Sequence, residues 1–96
     1  MATFISLVNF TDQGIRNVKD SPERLNAFRA LAEKLGVSVK GAYYTVGHYD
    51  MVIIVEGSDE AATTALLAAG SLGNVRSQTL RAFTQDQMKQ IISKMP

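Results

Sequence analysis

The chain contains no cysteine, so it has no disulfide framework, no thiolate nucleophile and no cysteine-based zinc or iron-sulfur site. Its one histidine, His48, excludes a multi-histidine metal centre within a single chain. No metal and no cofactor are therefore expected. Charge of one sign is also missing. Ten Lys and Arg against nine Asp and Glu leave +1, too weak a field to gather nucleic acid or anionic lipid. The most uniformly apolar stretch, Met51 to Val55, is far shorter than a bilayer requires. The N-terminal residues turn polar by Asn9 and Asp12 without a basic lead or a cleavage site, so the expected location is cytoplasmic, with no membrane partner. What is present is ordinary globular composition, 46% hydrophobic and 20% charged. Ninety-six residues suit one domain over 1–96, with a single core shared by most strands and helices.

Periodicity divides the chain cleanly. Thr3 to Phe10 is rich in β-branched and aromatic residues with apolar groups on both faces, which predicts a central strand. Thr11 and Asp12 open a short helical segment. Ser21 as N-cap and Pro22 at the first helical position then restart a helix, whose Leu25, Phe28, Leu31, Ala32 and Leu35 share one face and whose end falls at Gly36. Val37 to Val46 reads as a second strand with Gly41 a candidate bulge, and Gly47-His48-Tyr49-Asp50 as the turn after it. Met51 to Glu56 is an unbroken apolar run, predicting a third strand covered on both sides. Ser58 caps a second helix, buried through Ala62, Ala65, Leu66 and Ala69 and ended by Gly70. Asn74 to Phe83 alternates as a fourth strand, and Thr84 with Gln87 is a capping-box pattern for a last helix carrying Met88, Ile91, Ile92 and Met95.

Strand, helix, strand, strand, helix, strand is the order of an α+β, ferredoxin-like βαββαβ unit with an antiparallel sheet, here extended by a C-terminal helix. The two most apolar strands fall at the positions central to that sheet. Two helices cover only one of its faces, so apolar groups on the other, expected to include Phe4, Val8 and Phe83, need cover from elsewhere. The last helix supplies part of it at most, and face-to-face packing of two sheets in a homodimer or higher oligomer is the expected solution.

The turn Gly47-His48-Tyr49-Asp50 and the strand from Gly73 to Phe83 carry a resemblance to the GYD domain family, named for its Gly-x-Tyr-Asp turn. Thr11 to Ile15 and Asp20 to Arg24 are similar to that family's first-helix pattern, so the likeness spans almost the whole chain. Ser77 stands where the family usually has Thr, which keeps the hydroxyl. The resemblance implies a ferredoxin-like protein of the dimeric α/β barrel type and leaves the activity open. A looser similarity links the same turn and last strand to effector-binding domains of leucine-responsive transcription regulators, which bind small molecules at subunit boundaries.

Several residues are candidates for chemistry. Asp50 is suited to accepting backbone N–H groups within its turn, and Gly47 to a backbone angle other residues avoid. His48 is the natural proton-transfer group if the protein is an enzyme, with Asp50 or a tyrosine as its partner. Strand alternation puts Arg81 with Ser77 and Thr79 and opposes it to Arg76, so the two arginines do not form one clamp. With the Arg81 group expected on the side away from the helices, Arg81, Ser77, Thr79, Tyr49 and Tyr43 are the candidate ligand-binding set for a small anionic or amphipathic ligand. Gln13 and Arg24 suit capping and surface pairing.

RNA recognition is disfavoured because Met51 to Val55 offers aliphatic side chains where base-stacking aromatics are needed. Gly70-Ser71-Leu72-Gly73 lacks the Lys and hydroxyl of a phosphate loop, and no strained turn presents a serine nucleophile. Two functions remain: a homo-oligomeric ligand-binding or sensor module with a pocket between subunits, or a dimeric α/β barrel enzyme of the cofactor-free oxygenase or haem-handling kind, using His48.

Overall fold

The computed structural model describes residues 1–96. Strand β1 (Ala2–Phe10) leads into a short helix α1 (Asp12–Arg16), a 3₁₀ turn (Val18–Asp20) and helix α2 (Ser21–Lys34). Strands β2 (Ser38–Tyr44) and β3 (Met51–Gly57) follow, then helix α3 (Asp59–Ser71), strand β4 (Val75–Ala82) and helix α4 (Gln85–Ser93). The strands form one antiparallel sheet in the order β2-β3-β1-β4, so the two apolar strands do lie at its centre.

Side chains placed at the element ends explain where each begins. Thr11 Oγ1 accepts the Gly14 N–H at 3.0 Å, Ser58 Oγ accepts that of Ala61 at 3.1 Å, and Thr84 with Gln87 closes a reciprocal capping box. Gly36 takes φ +80° and ends α2 as the pattern predicts. Strand β2 is shorter than the expected Val37 to Val46, and two helix boundaries differ from the sequence reading. Helix α2 starts at Ser21 itself, because the Ser21 hydroxyl is held by Tyr44 Oη at 2.8 Å rather than by the helix. Helix α3 runs past Gly70 to Ser71, and the left-handed residue is Gly73 at φ +84°.

Helices α2 and α3 cover one face of the sheet. Val8, Met51, Ile53 and Val55 are buried there against Ala32, Val37 and Ala62, with Phe4 and Phe10 packed at the margins. Small residues on α3, Ala62 and Ala65, let helix and sheet approach closely. A shift in register between Val39 and Gly41 confirms the bulge in β2.

The opposite face is bare. Register places Ile5 beside Ile54 and Leu80, and Leu7 beside Val52 and Gln78. The expectation that Phe4, Val8 and Phe83 occupy this face is therefore overturned: alternation assigns the two sets correctly, but only the helices decide which set they cover. The expectation that β3 is covered on both sides fails in the same way, since its residues alternate between buried and half-buried. Nor does α4 fold back over the sheet. It packs against no other element beyond incidental contact, and Met88, Ile91, Ile92 and Met95 are 44, 44, 53 and 67% exposed along one stripe.

The resulting molecule measures 51 × 31 × 18 Å, thin enough for a sheet and a single helical layer. Its radius of gyration of 14.6 Å exceeds the roughly 12.5 Å of a compact domain of this length, and only 12 of 96 residues are fully buried.

Candidate functional site

The Gly47 to Asp50 turn is built as a clamp. Gly47 adopts φ +146°, a value strained for any side chain. The carbonyl of His48 accepts the Asn9 amide at 2.7 Å, and Thr45 Oγ1 donates to the Tyr49 carbonyl at 2.6 Å. Asp50 Oδ2 accepts the Phe10 N–H at 2.8 Å, while the Asp50 N–H donates to Val8 O at 2.8 Å. Asp50 thus ties the end of β1 to the β2–β3 hairpin. Its carboxylate reaches across the sheet and not, as its place in a turn suggests, back into its own turn.

This geometry bears on the proton-transfer candidates. No hydrogen bond joins His48 to Asp50, and the exposed His48 side chain makes none within the chain. Neither residue is oriented by the other, which a general base and its supporting acid require.

The ligand-binding candidates divide between the two faces of the sheet. Tyr43 pairs with Val52 on the bare face and is 62% exposed, its ring lying over Gly41. Tyr49 extends to Gln78 on the same face, with Oη 3.3 Å from Oε1. Tyr44 turns the other way, to Ser21. Ser77, Thr79 and Arg81 stand opposite Val8, Ser6 and Phe4, on the helix side. The expectation that these three face away from the helices is corrected here. Two of them also have partners of their own: Thr79 Oγ1 meets Ser6 Oγ at 2.8 Å, and the Arg81 guanidinium lies 4.4 Å from the Phe83 ring centre while donating to Thr3 O at 3.2 Å. Arg76, beside Asn9, is on the opposite face from Arg81, as alternation requires.

What the bare face brings together is an apolar file, Ile5, Leu7, Val52 and Ile54, with Tyr43, Tyr49 and Gln78 at one end and a Lys40–Glu56 ion pair of 4.0 Å near the other. A family model for the GYD domain matches residues 4–92. The chain belongs to the GYD domain family. As a GYD domain it is 38% identical over 85 residues to the glutamine synthetase and cystathionine beta-lyase binding protein of Thermus thermophilus, an alignment covering 86% of this chain and 90% of that one. Its fold is similar to that of a feast or famine regulatory protein from M. tuberculosis complexed with L-methionine, with TM-score 0.65, 17% identity and coverage of 88% of this chain and 52% of that one. The chain thus spans about half the length of that regulator. No helix of this GYD domain is long and apolar enough to cross a membrane.

Two contributors escape sequence reasoning. Gln78, on a polar strand, gives no sign of pairing with Tyr49. Arg24, expected to pair at the surface, is half-buried and forms no ion pair, donating instead from Nη1 to the Asn17 carbonyl at 2.9 Å. Gln13 does serve as a tether, its amide reaching Leu72 O at 3.1 Å and Asn74 Oδ1 at 3.0 Å.

Proposed function

We propose that this GYD domain is a homo-oligomeric binding module whose copies join through the bare sheet face and hold a small ligand between them. The observation that carries this is the uncovered file of Ile5, Leu7, Val52 and Ile54 at the centre of the sheet. Water against so contiguous an apolar strip is unfavourable, and a second identical face removes it. Tyr43, Tyr49 and Gln78 then line the rim of the shared space. A small amphipathic ligand such as an amino acid suits aromatic walls with a hydroxyl and an amide, and the methionine held by the M. tuberculosis regulator makes that class the first to test.

Sedimentation of the purified chain should give a dimer or larger species, and Leu7→Arg should give a folded monomer by buried-charge repulsion at the seam. Thermal stabilisation by one of the twenty amino acids, present in the parent and absent in Leu7→Arg, places the ligand between subunits. A parent chain that stays monomeric at millimolar concentration overturns the reading.

A second reading concerns protein partners, favoured by the name of the Thermus thermophilus relative, which records binding to two enzymes. The unpacked apolar stripe of α4 is available for such a contact. Ile91→Asp is expected to abolish co-purification of glutamine synthetase while leaving the oligomer intact. Co-purification unaffected by Ile91→Asp removes α4 from the contact.

A further inference from the structure

Without cysteine, sulfur chemistry on this chain falls to its four methionines. They are placed unequally. Met51 is 4% exposed in the core, one of the residues that wall a crevice beside α2 and α3 together with Leu25, Phe28 and Leu66. Met1 precedes β1 and belongs to no element. Met88 and Met95 are both exposed, and they stand about two helical turns apart at the two ends of the α4 stripe. The stripe runs past the last residue of α4 because the Met95 N–H donates to Ile92 O at 3.0 Å and keeps the chain turning.

Ile91 and Ile92 lie between the two methionines, at helical spacings of three and four residues from each, so both isoleucines share a face with both sulfurs. Helix α4 makes no more than incidental contact with the other elements, so an oxidant reaches both thioethers without any unfolding. A thioether is flexible, polarizable and apolar, a side chain that fits itself to an irregular partner surface. Its sulfoxide is polar, and the new oxygen accepts hydrogen bonds that a dry interface does not supply.

We propose that Met88 and Met95 are a reversible oxidation site that governs the α4 contact, the stripe binding its partner as two thioethers and releasing it as two sulfoxides. The oxidant is hydrogen peroxide. The sulfur lone pair forms the new S–O bond as the O–O bond breaks; the sulfur loses two electrons, and the departing hydroxide takes the proton of the transferred oxygen and leaves as water. The return step takes two thiols of a reductase, which become a disulfide while the sulfoxide oxygen leaves as water. Partner release rests on the reading of α4 as a protein-binding surface given above, whereas preferential oxidation of Met88 and Met95 over Met51 stands on exposure alone.

In the test, the full chain is treated with hydrogen peroxide, the excess is destroyed with catalase, and glutamine synthetase is then added. Peptide mass mapping should show Met88 and Met95 oxidised about tenfold or more ahead of Met51. Capture of the synthetase should weaken about tenfold or more and return after treatment with methionine sulfoxide reductase and dithiothreitol. Met88→Leu combined with Met95→Leu should keep capture after peroxide, although Met1 and Met51 remain oxidisable. Met88→Gln combined with Met95→Gln, polar and of similar length, should lose capture with no peroxide at all. Oxidation of Met51 as fast as that of Met88 and Met95 overturns the proposal, and so does capture by the oxidised chain equal to that by the untreated one. An untreated chain that captures no synthetase overturns the α4 reading itself and the release step with it, while the mapping still decides the oxidation site.

Discussion

Asp50 shows what a single side chain does in this fold. Its carboxylate accepts the backbone N–H of Phe10 across the sheet, at the point where β1 leaves its pairing with β3. Asp50→Ala leaves that half-buried donor without an acceptor and should cost about 1–3 kcal/mol in urea denaturation. Asp50→Asn, which keeps an oxygen in place, should cost less. His48→Ala, at an exposed position with no side-chain partner, should stay within about 0.5 kcal/mol of the parent. A loss at His48 equal to that at Asp50 contradicts the clamp. The turn itself was legible because Gly47 suits a backbone angle other residues avoid and Asp50 suits accepting backbone N–H groups. The partner of Asp50 was not, because Phe10 is forty residues away and becomes its neighbour only through sheet pairing. Gly14 is a similar case. A Cβ there would stand 1.9 Å from the Asn74 carbonyl oxygen, a close approach that no local pattern announces.

Among elements, α4 is the one whose local and tertiary settings diverge. Its capping box is complete and its apolar residues share a stripe, yet it makes no more than incidental contact with the other elements of its chain. A nine-residue helix is marginal in water by itself. Thr84→Ala should therefore lower helicity and hydrogen-exchange protection in residues 85–93 by roughly the 1 kcal/mol of a lost cap, with no shift in the midpoint for the sheet. A matching drop in global stability would mean that α4 is packed against its surroundings after all. Helices α2 and α3 behave in the opposite way. Their apolar spacing names the buried face, with Ala32, Ala62 and Ala65 at its centre, although Leu31, expected on it, is left 36% exposed; the crevice beside them depends on side-chain volumes meeting in three dimensions and has no signature in the spacing.

For the molecule as a whole, the decisive quantity is how much apolar surface a lone copy leaves in water. Its helical layer is single and its far sheet face is open. If copies shield one another there, stability includes the association equilibrium, and the melting temperature should rise with protein concentration. Differential scanning calorimetry over a hundredfold range of concentration checks this, with Leu7→Arg expected to show no such dependence. A parent chain whose melting temperature is flat across that range has no assembly linked to folding.

The order of strands and helices, the central place of β1 and β3, the caps at Ser58 and Thr84 and the bulge at Gly41 were all set by local pattern, since period, capping and turn chemistry act over a few residues. Strand alternation also grouped Ser77, Thr79 and Arg81 correctly. Which group met the helices was decided only in the folded chain, and it put these three on the face opposite to the one expected. A period of two divides residues between faces without ranking them, whereas the crossover helices can lie on one face alone. The same holds for Arg24: its position on α2 was plain from the spacing, but the Asn17 carbonyl that Nη1 meets, and the burial of Nη2 without an acceptor, arise only in the folded chain.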